Sequence, residues 1–308
     1  MDVHVHANCQ AIPIARMLHE VRPDWHITWF EAHGPEIINQ LEEHCNRIRT
    51  ADLIISQPIH RGFRDREELS VDWLRDNIRS DATLLVFPSM HFSGHHPGLD
   101  GLPLPGLPFL SNLLIAHLVA SGCGPEVAVR HMLSEDLLTD AEVETEIQVA
   151  LNETKRREVD DRIDILISPF MEQNCRIRTM FHIQNHPFRE TSAFIANQIL
   201  GRLGLKDRIP VEGHDYQHET HVPPLPTVAR FLRTHRGEVA ADASDDIVLL
   251  PGYQPMTQAE YYLHMAERLA AFTPAETFEA IKGRWPTVQV LSRLAQQGSA
   301  IPGIARWS

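Results

Sequence analysis

An amide, a thiol and a second amide stand side by side near the start of the chain, as Asn8-Cys9-Gln10. The two carboxamides can donate to a developing oxyanion, and a thiol at a helix N-terminus can shift towards thiolate. That chemistry suits transfer or hydrolysis of an acyl group. The competing reading is a small buried cysteine packing a turn between two capping amides. Three other polar clusters could join the turn: Ser56-Gln57-Pro58, Pro88-Ser89-Met90-His91 and Asn185-His186-Pro187. Together they supply a nucleophile, a base and oxyanion donors. Arg61 and Arg64 could grip the phosphate of a phosphorylated cofactor.

Metal chemistry is not expected. His182 and His186 have the i, i+4 spacing of a zinc-binding helix, but no Glu follows the first, and Pro187 argues against helix there. His4 and His6 alternate on a strand, which puts both on one sheet face, buried and hydrogen-bonded.

The elements that would position these groups follow from hydrophobic period. Val3 to Ala7 alternates as a strand, and Ala11 to Val21 places Ile12, Ala15, Met17 and Leu18 at helical spacing. Strands at Trp25–Phe30, Ala51–Ser56 and Ala82–Phe87 alternate with helices, one running to about Arg47 and one over Glu67–Ile78. This alternation predicts an α/β fold with a doubly wound, mostly parallel sheet of SGNH- or flavodoxin-like topology. The carboxyl ends of its strands share one edge, so the polar clusters converge there.

A Pro- and Gly-rich loop then leads into a helical passage from Phe109 to about Arg162. Arg176–Ile183 is expected to return as a fifth strand, followed by a helix from Glu190 to Leu203. Further helices are expected at Gln258–Phe272 and Pro274–Lys282. The expected layout is sheet core over 1–98, helical insertion over 99–170, return to the core over 171–206, and a helical C-terminal segment over 207–308.

Composition narrows the function. The 308 residues carry 28 Lys+Arg against 41 Asp+Glu, a net charge of -13 that disfavours nucleic acid. The four cysteines form no CxxC pair and read as reduced thiols. No apolar run approaches the roughly 20 residues of a membrane span, and no signal pattern opens the chain, so a cytoplasmic protein is expected.

The Asn-Cys-Gln turn, Ile55-Ser56-Gln57-Pro58-Ile59, Phe87-Pro88-Ser89 with Gly94-His95-His96-Pro97, and Phe181-His182-Ile183-Gln184-Asn185-His186-Pro187 occur in that order. In this the chain resembles the WcbI-type polysaccharide biosynthesis enzymes, over about residues 3–205. The family carries Gly before the Asn-Cys-Gln triplet where this chain has Ala7. The resemblance implies coenzyme A or acetyl-CoA as acyl donor, no metal, and acetyl transfer to a sugar hydroxyl in capsular polysaccharide biosynthesis. Implied partners are a sugar or polysaccharide precursor and other capsule biosynthesis proteins. It implies catalytic roles for Cys9, His186, Asn8, Gln10 and His91, and cofactor contacts from Ser56, Gln57, Arg61, Arg64, Ser89, Met90 and Asn185. Two routes stay open: direct attack of a hydroxyl deprotonated by His186, or an acetyl-enzyme at Cys9. The rival functions are an SGNH-like esterase or deacetylase, and a non-catalytic coenzyme A-binding partner in an assembly complex.

Overall fold

The computed structural model describes residues 1–34, 37–160, 162–236 and 246–284. They divide between two compact units. The sheet unit holds 1–92, 151–174 and 180–218, and the second unit holds 93–150, 175–179 and the chain from 219 onward.

The sheet unit begins β1 (Asp2–Ala7), α1 (Ala11–Val21), β2 (His26–Glu31), α2 (Ile37–Thr50), β3 (Leu53–Ser56), α3 (Val71–Asn77) and β4 (Thr83–Val86). The four strands run parallel in the order β2-β1-β3-β4. The chain moves one way from β1 to β2, then back across β1 to β3 and β4. Right-handed crossovers therefore put α1 on one face and α2 and α3 on the other. Burial follows this order. β1 from Val3 and all of β3 are buried, whereas the outer strand β2 buries Phe30 alone. Each of the first four expected strands lies within a residue or two of its observed position. The helix expected over Glu67–Ile78 is broken, because Ser70 Oγ accepts from Trp73 N at 3.2 Å and starts α3 as a new N-cap.

His4 and His6 do share one buried face, and they share it with His44 of α2. His4 Nε2 lies 3.0 Å from His44 Nδ1, His6 Nε2 lies 2.9 Å from the Leu69 carbonyl, and the His44 ring stacks on His6 and Phe30. Burial, reinforced by their mutual repulsion, lowers His4 to about 3, and burial lowers His6 to about 4 and His44 well below its ordinary value. The sign of the consequence is fixed. These groups stay neutral in the fold, while the unfolded chain takes up protons below about pH 6.5. Stability is therefore complete above that pH and is lost as pH falls towards 4, on the order of 1.4 kcal/mol per pH unit for each histidine. The urea midpoint should fall steeply between pH 6.5 and 4.5. A flat midpoint across that range rules the effect out.

The chain continues through β5 (Leu99–Asp100), β6 (Ser111–Asn112), α4 (Leu113–Ala120), α5 (Pro125–Met132), α6 (Asp140–Asp160) and α7 (Ser168–Asn174). After β7 (Phe181–Ile183), β8 (His186–Pro187) and α8 (Arg189–Arg202) come α9 (Pro226–Arg236), β9 (Ile247–Val248), β10 (Met256–Thr257), α10 (Gln258–Leu269) and α11 (Pro274–Ile281). In the second unit α4 packs against α10 and α11, around buried Tyr261, Tyr262 and Met265. Capping boxes, Thr257 with Glu260 and Thr273 with Glu276, fix where α10 and α11 start. The remainder of the expected C-terminal segment, 285–308, lies outside the described residues. In the sheet unit α8 lies against α1. No helix among the described residues is long and apolar enough to cross a membrane.

One expectation needs correction. The fifth strand does not rejoin the sheet. β7 covers Phe181–Ile183 and pairs antiparallel with β8 as a separate hairpin. The alternation of Arg176 and Arg178 with apolar neighbours imitates a strand, but Arg176 instead forks onto Glu144 at 2.6 Å and Gln148 at 3.1 Å within the second unit.

Candidate active site

Between β1 and β3 the strand order reverses, and in open parallel sheets the carboxyl ends at such a point form a ligand crevice. The Asn8-Cys9-Gln10 turn leaves β1 there. Ala7 ends the strand, buried and with an ordinary negative φ, so the position does not require glycine.

One side chain assembles this edge. Gln10 Nε2 donates to the main-chain oxygens of Met90 at 2.6 Å and Asn185 at 2.7 Å. Its Oε1 accepts from Gln57 Nε2 at 2.6 Å and from Met90 N at 3.0 Å. Gln57 Oε1 in turn accepts from Asn8 N at 2.9 Å. The loops after β1, β3 and β4 and the tip of the β7–β8 hairpin are thus knotted through one buried carboxamide. Gln10 is 0% exposed and both its donor hydrogens are taken, so the expected oxyanion role falls away. Its function is to position others.

Three expected cofactor contacts change for the same reason. Gln57 is used up in the knot. Met90 contributes its main chain while its side chain is buried. Ser56 is buried with Oγ on the Gln57 carbonyl at 2.8 Å.

Cys9, Asn8, Asn185 and Ser89 remain facing the edge. Asn185 Nδ2 lies 3.9 Å from Cys9 Sγ, and Asn8 Nδ2 lies 3.5 Å from Ser89 Oγ. Both amides are only loosely engaged. Asn8 Oδ1 caps Gln10 N at 2.9 Å, two residues ahead of the helical turn it serves. The expected activation of the thiol is reversed. Burial, and then the Glu31 carboxylate, push Cys9 up to about 11. Glu31 stands opposite Ala7 across β1 and β2, which brings its charge near the turn. The thiol is protonated at neutral pH.

His186 follows Asn185 at the start of β8. Burial and then the neighbouring His182 lower it to about 4, against the pull of a hydrogen bond with the Gln217 main chain and of the Asp215 charge. Its Nδ1 is buried with no hydrogen-bond partner. His91 sits half-buried one residue beyond Met90.

Asp215, Gln217 and Arg189, which the sequence did not single out, complete the site together with His182. His182 Nε2 pairs with Asp215 Oδ2 at 2.9 Å, and Asp215 also accepts from Arg189 N at 2.9 Å and Gln217 N at 3.0 Å. Burial works against the Asp215 charge, but these bonds hold its carboxyl below the usual range. Gln217 Nε2 reaches the Cys9 carbonyl at 3.3 Å. The segment carrying Asp215 and Gln217 is strapped down by Arg189, which bonds the Glu212 and His214 carbonyls and forks onto Glu20 at 2.6 Å and 2.9 Å. Gly213, at φ +135°, lets the strap cross that guanidinium, since a Cβ there would come within 2.7 Å of it. The sequence signal was a Gly-His-Asp-Tyr-Gln-His run in an irregular stretch, which no periodicity marks.

The two arginines separate. Arg64 donates to the Gly34 carbonyl at 2.7 Å, whereas Arg61 pairs with Asp72 at 3.1 Å on the wall of a cavity beyond β3. Among the described residues no group of three or more His, Cys, Asp or Glu is placed to hold a metal ion.

Comparison with known proteins adds two findings. The family described as "Polysaccharide biosynthesis enzyme WcbI" matches residues 2–208. A solved structure of WcbI, called a novel polysaccharide biosynthesis enzyme, superposes with a TM-score of 0.80 at 23% identity. The match covers 95% of this chain and 97% of that one. That structure is the native protein without a disulfide bond between coenzyme A and one of its cysteines. At this identity the likeness establishes the fold. No curated protein matches this chain.

Proposed function

The chain belongs to the WcbI family of polysaccharide biosynthesis enzymes, and we propose that within it the protein is an O-acetyltransferase. It moves acetyl from acetyl-CoA to a hydroxyl of a sugar or polysaccharide precursor, in the cytoplasm where that donor is made. One observation carries the reading. Cys9, partly exposed where the other three cysteines are buried, stands at the strand-order reversal between two carboxamides whose Nδ2 groups are only loosely engaged. The WcbI structure, described in terms of coenzyme A and a cysteine with no disulfide joining them, supports reading Cys9 as the residue that meets the thiol end of the donor.

The donor supplies a thioester, and the chain's own groups do the rest. His186 Nδ1 takes the proton of the sugar hydroxyl as its oxygen bonds to the thioester carbon, and returns that proton to the sulfur as the carbon–sulfur bond breaks. Asn8 Nδ2 and Asn185 Nδ2 donate to the carbonyl oxygen as it gains charge. Cys9 and Ser89 border the same atoms. The protonated state of Cys9 favours this direct route over an acetyl-enzyme.

The test is ligand-dependent melting. Coenzyme A and acetyl-CoA at about 100 times Kd should add about 2.7 kcal/mol, roughly 5 °C in Tm, while NAD and ATP do little. Acetate should then appear on a sugar acceptor rather than free in solution. No shift at millimolar coenzyme A overturns the reading, and free acetate alone makes the protein a hydrolase.

A further inference from the structure

The loop that leaves β3 runs from the knot straight into a cavity of about 270 Å³, walled by Pro58, His60, Arg61, Asp72, Arg75 and Arg162. Three arginines and a histidine meet one carboxylate there, in a chain whose net charge is -13. Asp72 accepts from Arg61 Nε at 3.1 Å and from Arg75 Nη1 at 3.3 Å, which orients both side chains and leaves the rest of each guanidinium fork unengaged among the described residues. Arg162 makes no ion pair or hydrogen bond among them. A planar fork of N–H donors held in place matches the oxygens of an anion such as phosphate, and three of them around one carboxylate leave positive charge to spare.

The backbone singles out the same place. Three non-glycine residues have a left-handed φ among the described residues: Arg64 at 53°, Asp65 at 57° and Arg162 at 52°. Arg162 lines the cavity itself, and Arg64 and Asp65 follow directly on the Pro58–Arg61 loop that forms another part of its wall. Such conformations gather where surroundings impose them, at ligand clamps above all. The position is also apt. Gln57, whose side chain bonds Asn8 and Gln10, directly precedes Pro58, and Arg61 is at most about 14 Å of chain away from it.

We propose that the cavity is a phosphate-binding subsite formed by Arg61, Arg75 and Arg162, and that it takes a phosphate or diphosphate carried by one of the substrates. The anion site stands on its own residues. The identity of the carrier rests on the acetyl-transfer reading above.

Calorimetric titration of the whole protein and of its Arg61→Gln/Arg162→Gln variant tests this with four probes: inorganic pyrophosphate, coenzyme A, dephospho-coenzyme A and UDP-glucose. Both side chains are exposed, so the variant keeps its fold and urea midpoint. Pyrophosphate affinity is expected to fall at least tenfold. A loss for coenzyme A but not dephospho-coenzyme A assigns the cavity to the 3′-phosphate, and an equal loss assigns it to the diphosphate. A loss for UDP-glucose alone assigns it to the acceptor. A variant that treats all four probes as the wild type does overturns the proposal. Wild-type protein that binds pyrophosphate but not coenzyme A overturns the acetyl-CoA reading and leaves the subsite standing.

Discussion

Gln10→Ala takes away a large share of the stability of the sheet unit. The substitution removes four hydrogen bonds of 2.6 to 3.0 Å at a position with 0% exposure. It strands the Met90 N–H and carbonyl, the Asn185 carbonyl and one Gln57 donor. A buried polar group left unpaired costs about 1–3 kcal/mol, so even partial refilling by water leaves a loss of about 4 kcal/mol or more. Whole domains are stable by about 5–15 kcal/mol. Gln10→Glu should fare no better despite its matching shape, because its second oxygen would face two carbonyls that now receive a proton from Nε2. Urea titration checks both variants. A loss below about 1 kcal/mol in Gln10→Ala would show that the loops hold without the knot.

His186→Ala should leave coenzyme A affinity within a few-fold of wild type and lower acetyl transfer by about 100-fold or more, the usual worth of a positioned base. Cys9→Ala should cost far less. With the thiol at about 11, roughly one molecule in ten thousand holds a thiolate at pH 7. Moving its proton to a histidine at about 4 is steeply uphill. The pH profile gives an independent readout. His186 loses its lone pair to protonation only near pH 4, so the acid limb of kcat/KM should fall there rather than near 6.5 in brief assays that precede acid unfolding. Intact-mass spectra should show no acetyl on Cys9. A trapped acetyl-Cys9, with Cys9→Ala as inactive as His186→Ala, would replace direct transfer by the covalent route.

The contrast between Cys9 and Gln10 shows where sequence reasoning succeeds and where it stops. Local patterns placed the turn correctly: α1 spans Ala11–Val21 as its apolar spacing requires, and the β-α alternation forces a parallel sheet. What each turn residue does depends on neighbours distant in the chain. Gln10 meets Met90 and Asn185, while Cys9 is buried by the loops around it and feels the Glu31 charge, so an apparent oxyanion donor became a tie and an apparent thiolate became a thiol. Asp215 was invisible for a related reason. It lies in a stretch without helical or strand period, held by Arg189 and not by any ladder. Arg61 and Arg64 are three positions apart and read alike, yet Gly62 at φ +74° turns the loop between them and they part company.

The Gln10 carboxamide also sets how the ligand edge can move. Four segments that meet at one fixed point have no independent hinges, so none of them swings aside to admit a ligand while the others stay put. Opening is all or nothing, with the free energy of undoing the whole junction as its barrier. The strap beside Gly213 is held chiefly by Arg189, outside the junction, and touches the turn through Gln217 on the Cys9 carbonyl. The enzyme's rigidity is concentrated where chemistry needs fixed distances, and whatever can gate lies on the strap that Arg189 holds.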